Sequence, residues 1–174
     1  MGSLKDNIRI ASEVFCKGMA LGWVKDGNTV QSFEVPGMKY YLYEEGRFKL
    51  IDMWGGHVPH ACGTTYLYYD ESLFWAMQYS GQYPKEATEL VKEALLKNYS
   101  NGIFLGGRGP AVLIKEDLHY ANVPHKPGGG IMDFKNFSGQ DSVIRKKRGS
   151  DIPQGQHDYS GGIVNMEIIK SKNF

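Results

Sequence analysis

Lys39-Tyr40-Tyr41-Leu42-Tyr43, then Glu44-Glu45-Gly46, then Arg47-Phe48-Lys49-Leu50-Ile51-Asp52-Met53 reads as two β-strands around a tight turn. Phe48 and Leu50 alternate with Arg47 and Lys49, the period-2 pattern of a strand with one buried face, and Glu45-Gly46 supplies the turn. A second pair follows, Thr64 to Tyr69 and Leu73 to Tyr79 around Asp70-Glu71-Ser72, so four strands are expected to run as an antiparallel meander. Tyr40, Tyr41, Tyr43, Tyr66, Tyr68, Tyr69, Phe74, Trp75 and Tyr79 are more aromatic residues than one core face needs. Several should line a groove or reach water through their hydroxyls.

Two helices flank this region. From Asp6 to Met19 the residues Ile8, Ala11, Val14, Phe15 and Met19 recur at helical spacing, with Asp6 or Asn7 as N-cap. Pro84 opens a second helix whose apolar face is Ala87, Leu90, Val91, Ala94 and Leu95 and which ends before Asn101-Gly102. Between the helices, Trp23 to Pro36 shows no clear period and reads as a loop or a weak strand. Beyond the second helix, Ala111 to Lys115, Leu118 to Asn122, Ile131 to Phe137, Ser142 to Arg145 and Gly162 to Ile169 read as short strands. The stretches Pro124 to Gly130 and Gly149 to Gly162 read as long loops, where binding residues tend to gather. The fold class is therefore α+β, one domain over 1–174, a curved antiparallel sheet packed on one main helix with a short N-terminal helix.

Composition sets outer bounds. The 174 residues are 41% hydrophobic and 22% charged, which is ordinary for a globular chain that buries a core without disulfides or a metal. A net charge of +1 gives no global pull toward nucleic acid or an acidic membrane surface. Cys16 and Cys62 are too few for a disulfide framework, and no apolar run suits a signal peptide or a membrane span, so a cytoplasmic protein with reduced thiols is expected.

Several runs carry a resemblance. Tyr40 to Tyr43, Ile51-Asp52 with Gly55-Gly56, Phe74 to Gly81, Val91 to Leu96, Gly107-Arg108-Gly109-Pro110, Phe134 to Phe137 with Gly139, and Tyr159 to Ile163 follow one another in an order and spacing that resemble the bacterial domain of unknown function 5680 family. That family is often found C-terminal to a Cro/CI-type (XRE) helix-turn-helix. The resemblant region is 38–164, with 1–37 a helix and loop before it, too short for a DNA-binding bundle. Gly149 to Gly155 stands as an insertion lengthening the last hairpin loop. The resemblance implies one fold unit and, through a separate DNA-binding subunit, a regulatory role; it carries no activity and no catalytic residues.

Candidate chemistry is sparse. His57, His60 and Cys62 in one short loop are ligand types that zinc prefers, with His157 or Asp158 as a fourth; the alternatives are a polar loop with a buried thiol, or Cys62 as a nucleophile beside a histidine. Cys62, His157 and Asp158 are the catalytic candidates of a metal-assisted or Cys/His hydrolase. Gly106-Gly107-Arg108-Gly109-Pro110 either presents N–H groups and the Arg108 guanidinium to an anion or forms a sharp packed turn. Gly128-Gly129-Gly130 lacks the strand-to-helix context of a dinucleotide site. Arg145-Lys146-Lys147-Arg148 is a basic run with no aromatic platform beside it, better suited to a solvated strand edge than to nucleic acid. Asp52 interrupts an apolar alternation, as a buried acid with a shifted pKa or a turn-capping Asp would. Trp54, Trp75, Met77 and Tyr79 either line an apolar pocket under the second helix or simply fill the core.

The leading expectation is a binding module for a small molecule or a protein, with Asp52, Trp75, Tyr79 and Arg108 as ligand-binding residues. No cofactor is implied, and neither a membrane nor direct nucleic-acid binding is expected.

Overall fold

A computed structural model of the chain describes residues 3–25, 31–32, 37–57, 59–125, 134–171 and 174. It begins with α1 (Leu4–Leu21), a helix of 18 residues. Its N-cap is Ser3, not Asp6 or Asn7: Ser3 accepts from the Asp6 N–H at 3.1 Å and the Asp6 carboxylate reaches back to Ser3, which closes a capping box. A 3₁₀ turn at Trp23–Lys25 follows. Then come β1 (Gln31–Ser32), β2 (Met38–Glu45), β3 (Phe48–Gly55), β4 (His60–Tyr69) and β5 (Ser72–Gln82). After α2 (Lys85–Tyr99) the chain forms β6 (Val112–Lys115), β7 (Leu118–Pro124), β8 (Asn136–Lys147) and β9 (Ser150–Ile163), and then α3 (Met166–Ser171).

The strands form one antiparallel sheet of nine, in the order β1-β2-β3-β4-β5-β9-β8-β7-β6. The expected meander is present as β2 to β5, and it is half of the sheet. From β5 the chain crosses the helical side on α2, enters the far edge at β6 and meanders back until β9 pairs with β5. The crossing is geometrically apt. A helix of 15 residues is about 22 Å long, and four strand spacings of about 4.8 Å span about 19 Å. The N-terminal helix is not short, and with α2 it forms the layer over the sheet.

The largest departure from the sequence reading is β9. Gly149 to Gly162 was expected as a loop and Gly162 to Ile169 as a strand; instead Ser150–Ile163 is a strand in mid-sheet and the chain then turns into α3. The supposed insertion Gly149 to Gly155 is likewise the turn and first part of β9. The glycines inside β9 are not turn formers: a Cβ on Gly161 would meet the Phe137 ring at 2.7 Å, and one on Gly155 would meet the Tyr83 ring at 3.0 Å. Pro153 sits where the β8–β9 register shifts, a position that tolerates its missing N–H. Similarly β8 runs unbroken through Ser138 to Asp141, which the sequence reading left as a gap. Gly128 to Gly130 and the start of the expected strand at Ile131 lie outside the described residues, as does most of Trp23 to Pro36.

The core lies between the sheet and the two long helices. Phe15 of α1 meets Trp75 at 5.1 Å, and Trp75 stacks on Phe134 at 4.8 Å with Phe137 and Phe104 around them. Trp75 is fully buried and its indole N–H donates to the Phe134 carbonyl at 2.8 Å. Aromatic rings also lie across glycines of neighbouring strands. Gly139, paired with Tyr159, is one such site: an added Cβ would overlap the Tyr159 ring and come 2.8 Å from the Val123 carbonyl oxygen. Gly139→Ala should therefore lower unfolding stability by about 1–3 kcal/mol in urea titration; an unchanged midpoint would contradict this packing.

Candidate functional site

The turn Leu105 to Pro110 shapes the interior. Gly106 and Gly107 have φ of 61° and 67°, a left-handed pair that suits glycine, and a bridge joins Leu105 to Arg108 across them. Its carbonyls are taken by side chains from three directions. Asn98 donates to Arg108 O at 2.9 Å, Tyr99 to Gly107 O at 2.7 Å, and Asn122 to Leu105 O at 3.0 Å and Gly109 O at 2.8 Å. The turn is thus the sharp packed kind, and it carries the Arg108 side chain inward rather than offering it to solvent.

There Arg108 meets Asp141 of β8, Nε to Oδ2 at 2.7 Å, with the two side chains 4% and 0% exposed. Asp141 also accepts from the hydroxyls of Tyr83 at 2.8 Å and Tyr120 at 2.9 Å. Three donors on one carboxylate are what a buried charge requires. The guanidinium lies 5.7 Å from the centre of the Tyr79 ring and brings Nη2 within 3.4 Å of His157 Nδ1. A guanidinium only donates, so Nδ1 accepts and the imidazole proton sits on Nε2. Nε2 is buried without a hydrogen-bond partner among the described residues. Burial, and then the neighbouring Arg108 cation, hold the His157 pKa down at about 4, so the ring is neutral at neutral pH.

Beside this network a cavity of about 290 Å³ opens between the sheet, the end of α1, the 3₁₀ turn and α2. Its aromatic wall includes Trp23, Tyr41, Trp54, Tyr79 and Tyr99; Val91 and Leu95 face it from α2, and Lys39, Gly56, Pro59 and His60 form an exposed rim. The depth comes from the sheet itself. Gly63 lies between Trp54 and Tyr79 in the ladder, and the Tyr79 ring folds over it. Asp52 lies on the same wall, opposite Tyr41 on β2 and Thr65 on β4, and is 3% exposed. The Thr65 hydroxyl donates to its Oδ1 at 2.7 Å and Tyr79 donates to the same oxygen at 3.4 Å. Oδ2 has no partner among the described residues. Burial raises the Asp52 pKa to about 6, against the pull of those two hydrogen bonds and of Arg108.

The residues singled out in the sequence are thereby sorted. Asp52, Tyr79 and Arg108 share the cavity wall with His157 and His60, whereas Trp75 belongs to the closed core. Cys62 and Asp158 line a different, shallower groove with Ser80 and His125. Period-2 alternation explains the split, because His157 and Asp158 are neighbours on β9 and face opposite sides. The loop His57 to Cys62 is shorter than expected, since His60 already starts β4, and Cys62 is exposed rather than buried. No three His, Cys, Asp or Glu side chains gather as a metal cluster among the described residues. The first two residues of the basic run are matched by acids: Arg145 pairs with Asp117 at 2.8 Å and Lys146 with Asp151 at 2.6 Å. Sequence reasoning missed Asp141, Tyr83, Tyr99 and Tyr120. A signal for Asp141 existed, since it falls in step with Phe137, Gly139 and Val143 on one strand face.

Two outcomes follow for stability. At about pH 4 and below Asp52 is protonated in folded and unfolded chains alike; between there and about 6 only the unfolded chain releases its proton, so stability falls as pH rises through this window. Asp52→Asn, which keeps an oxygen for Thr65 and Tyr79, should be more stable than the parent by about 1–3 kcal/mol at pH 8 and equal to it near pH 4 in urea titrations. Taking the difference between the two chains cancels the opposite slope of His157. Arg108→Met should cost about 3–5 kcal/mol by stranding the Asp141 charge, and adding Asp141→Asn should restore part of that loss. A double variant as weak as the sum of the singles would contradict the pairing.

Comparison of the chain with protein-family models, with curated proteins and with solved structures found no match.

Proposed function

We propose that the protein is a small-molecule binding module and that its site is the cavity between Asp52, Tyr79 and Arg108 on one side and α2 on the other. The observation that carries this reading is Asp52: a buried carboxylate on the wall of an aromatic cavity, with one oxygen fully engaged and the other unpartnered among the described residues. Holding such a group costs the fold stability, because desolvating a carboxylate that is only half partnered is unfavourable. Binding sites are where such groups are kept. His157 Nε2, on the same wall, is a buried polar atom without a hydrogen-bond partner among the described residues. A concave site of about 290 Å³ suits a small ligand better than a protein surface.

The alternative of a metal-assisted or Cys/His hydrolase finds less support, because Cys62 and Asp158 lie apart from His157. A regulatory role, with ligand occupancy passed to a separate DNA-binding subunit, is what the resemblance to the helix-turn-helix-associated family adds to this proposal.

A fragment screen read by thermal shift should yield binders. At 100 times its Kd a ligand adds about 2.7 kcal/mol, or a Tm rise of about 5–10 °C for a chain of this size. Leu95→Trp, which fills the cavity from α2, should abolish the shift while the variant stays folded, and Thr88→Trp provides the same test nearer the mouth. Hits that survive both substitutions would place the site elsewhere, and a screen without hits would contradict the reading.

A further inference from the structure

The charges around the cavity restrict what it accepts. Four groups set the balance at its base: Asp52, Arg108, His157 and, behind Arg108, Asp141. Arg108 is already committed. Its Nε donates to Asp141, its Nη2 faces His157, and its Cζ lies 5.7 Å from the centre of the Tyr79 ring. Two carboxylates therefore face one guanidinium, and the excess negative charge sits at Asp52. An anionic ligand drawn to Arg108 would put a third negative charge beside these two in a low-dielectric space. No other charge compensates within the walls. Tyr41 on β2, Tyr79 on β5 and Tyr99 on α2 stay neutral, burial first raising the pKa of each. Cys16 on α1 is likewise held neutral, its thiol pushed up to about 12 by burial. Thr65 on β4 carries no charge, His157 on β9 is neutral, and Lys39 and His60 sit on the exposed rim without an ion pair to Asp52 among the described residues.

The rest of the wall points the same way. Trp54, Tyr41 and Tyr79 surround Asp52 in the sheet: Trp54 is two residues along β3, Tyr41 is its cross-strand partner, and Tyr79 donates to it. Rings with electron-rich faces beside one buried carboxylate form an environment for a cation, not for an anion or a purely apolar guest.

We propose that the cavity takes a small organic monocation, a protonated amine on an aromatic or apolar body, with its ammonium group on Asp52 Oδ2 and its body against Trp54, Tyr41 and Tyr79. This rests on the reading of the cavity as a ligand site and names the class of ligand. The ammonium donates to the free oxygen, gives the stranded carboxylate the partner that the fold withholds, and leaves the Arg108–Asp141 pair undisturbed. Because protonation of Asp52 cancels the attracting charge, amine affinity falls as pH is lowered through the range in which Asp52 takes up a proton.

The test uses three probes of one shape: phenethylamine, 2-phenylethanol and phenylacetate, titrated into the full chain at pH 8 by NMR, following the Trp54 indole and Tyr79 ring signals. Phenethylamine should bind at least about tenfold more tightly than the alcohol, and phenylacetate most weakly. Asp52→Asn should remove the preference for the amine over the alcohol, and unchanged Trp54 and Tyr79 signals in the ligand-free variant check that it keeps its cavity. The amine preference in the parent chain should shrink at pH 5. If the alcohol or phenylacetate binds as tightly as the amine, the charge assignment is overturned and the cavity reading stands. If none of the three moves the Trp54 or Tyr79 signals, both are overturned.

Discussion

The buried ion pair between Arg108 and Asp141 is the contact on which the arrangement of the interior depends. It joins the turn after α2 to β8, and through Tyr83 and Tyr120 it reaches the residues before α2 and the middle of β7. Exchanging such a pair for apolar side chains is often neutral or favourable, so its presence is better explained by what it positions than by what it stabilises. What it positions is a guanidinium over Tyr79, beside His157 and on the wall of the cavity. With Arg108 neutralised from behind, Asp52 is left as the one acidic group of the wall whose charge has no dedicated partner among the described residues.

Around this pair the sheet is built to leave room on its helical side. Rings lie over glycines of adjacent strands, Tyr79 over Gly63 and Tyr159 over Gly139, so large side chains lie flat and the layer of helices can approach. Where the packing stops, between α2 and the ends of β2 to β5, the space is walled by Trp23, Trp54 and Tyr41. Filling it, or making Asp52 neutral, is the kind of change that adds stability. The combination of this space with Asp52 is what supports the proposal that it is a binding site.

The first half of the fold was legible because its signals are local. Alternation through Phe48, Leu50 and Asp52 fixed both the strand and the anomaly within it, and Asp52 is where the structure places a buried acid. The packed turn was one of the two readings of the Gly106 to Pro110 run, but the inward course of Arg108 was not legible, because its partner Asp141 is 33 residues away. Asp141 itself was hidden because it falls in the gap between the two short strands, Ile131 to Phe137 and Ser142 to Arg145, read for what is one strand. β9 was hidden because its proline and glycines read as a loop. Glycine in these strands answers to the backbone or the aromatic ring that crowds it, which is a tertiary fact with no local signature. His157 was singled out, as an alternative to Asp158, for a fourth ligand beside His57, His60 and Cys62, and the structure places Cys62 in a different groove from it.

The most direct measurement is the titration of the Asp52 side-chain carboxyl by ¹³C NMR, with its signal assigned by comparison with the Asp52→Asn chain. The account predicts a midpoint near 6, because the carboxylate is desolvated and its Oδ2 lacks a partner. A midpoint at or below the ordinary carboxylate value of 3.8 would mean that Asp52 has a full set of partners within the fold, and the cavity would lose the feature on which its function rests.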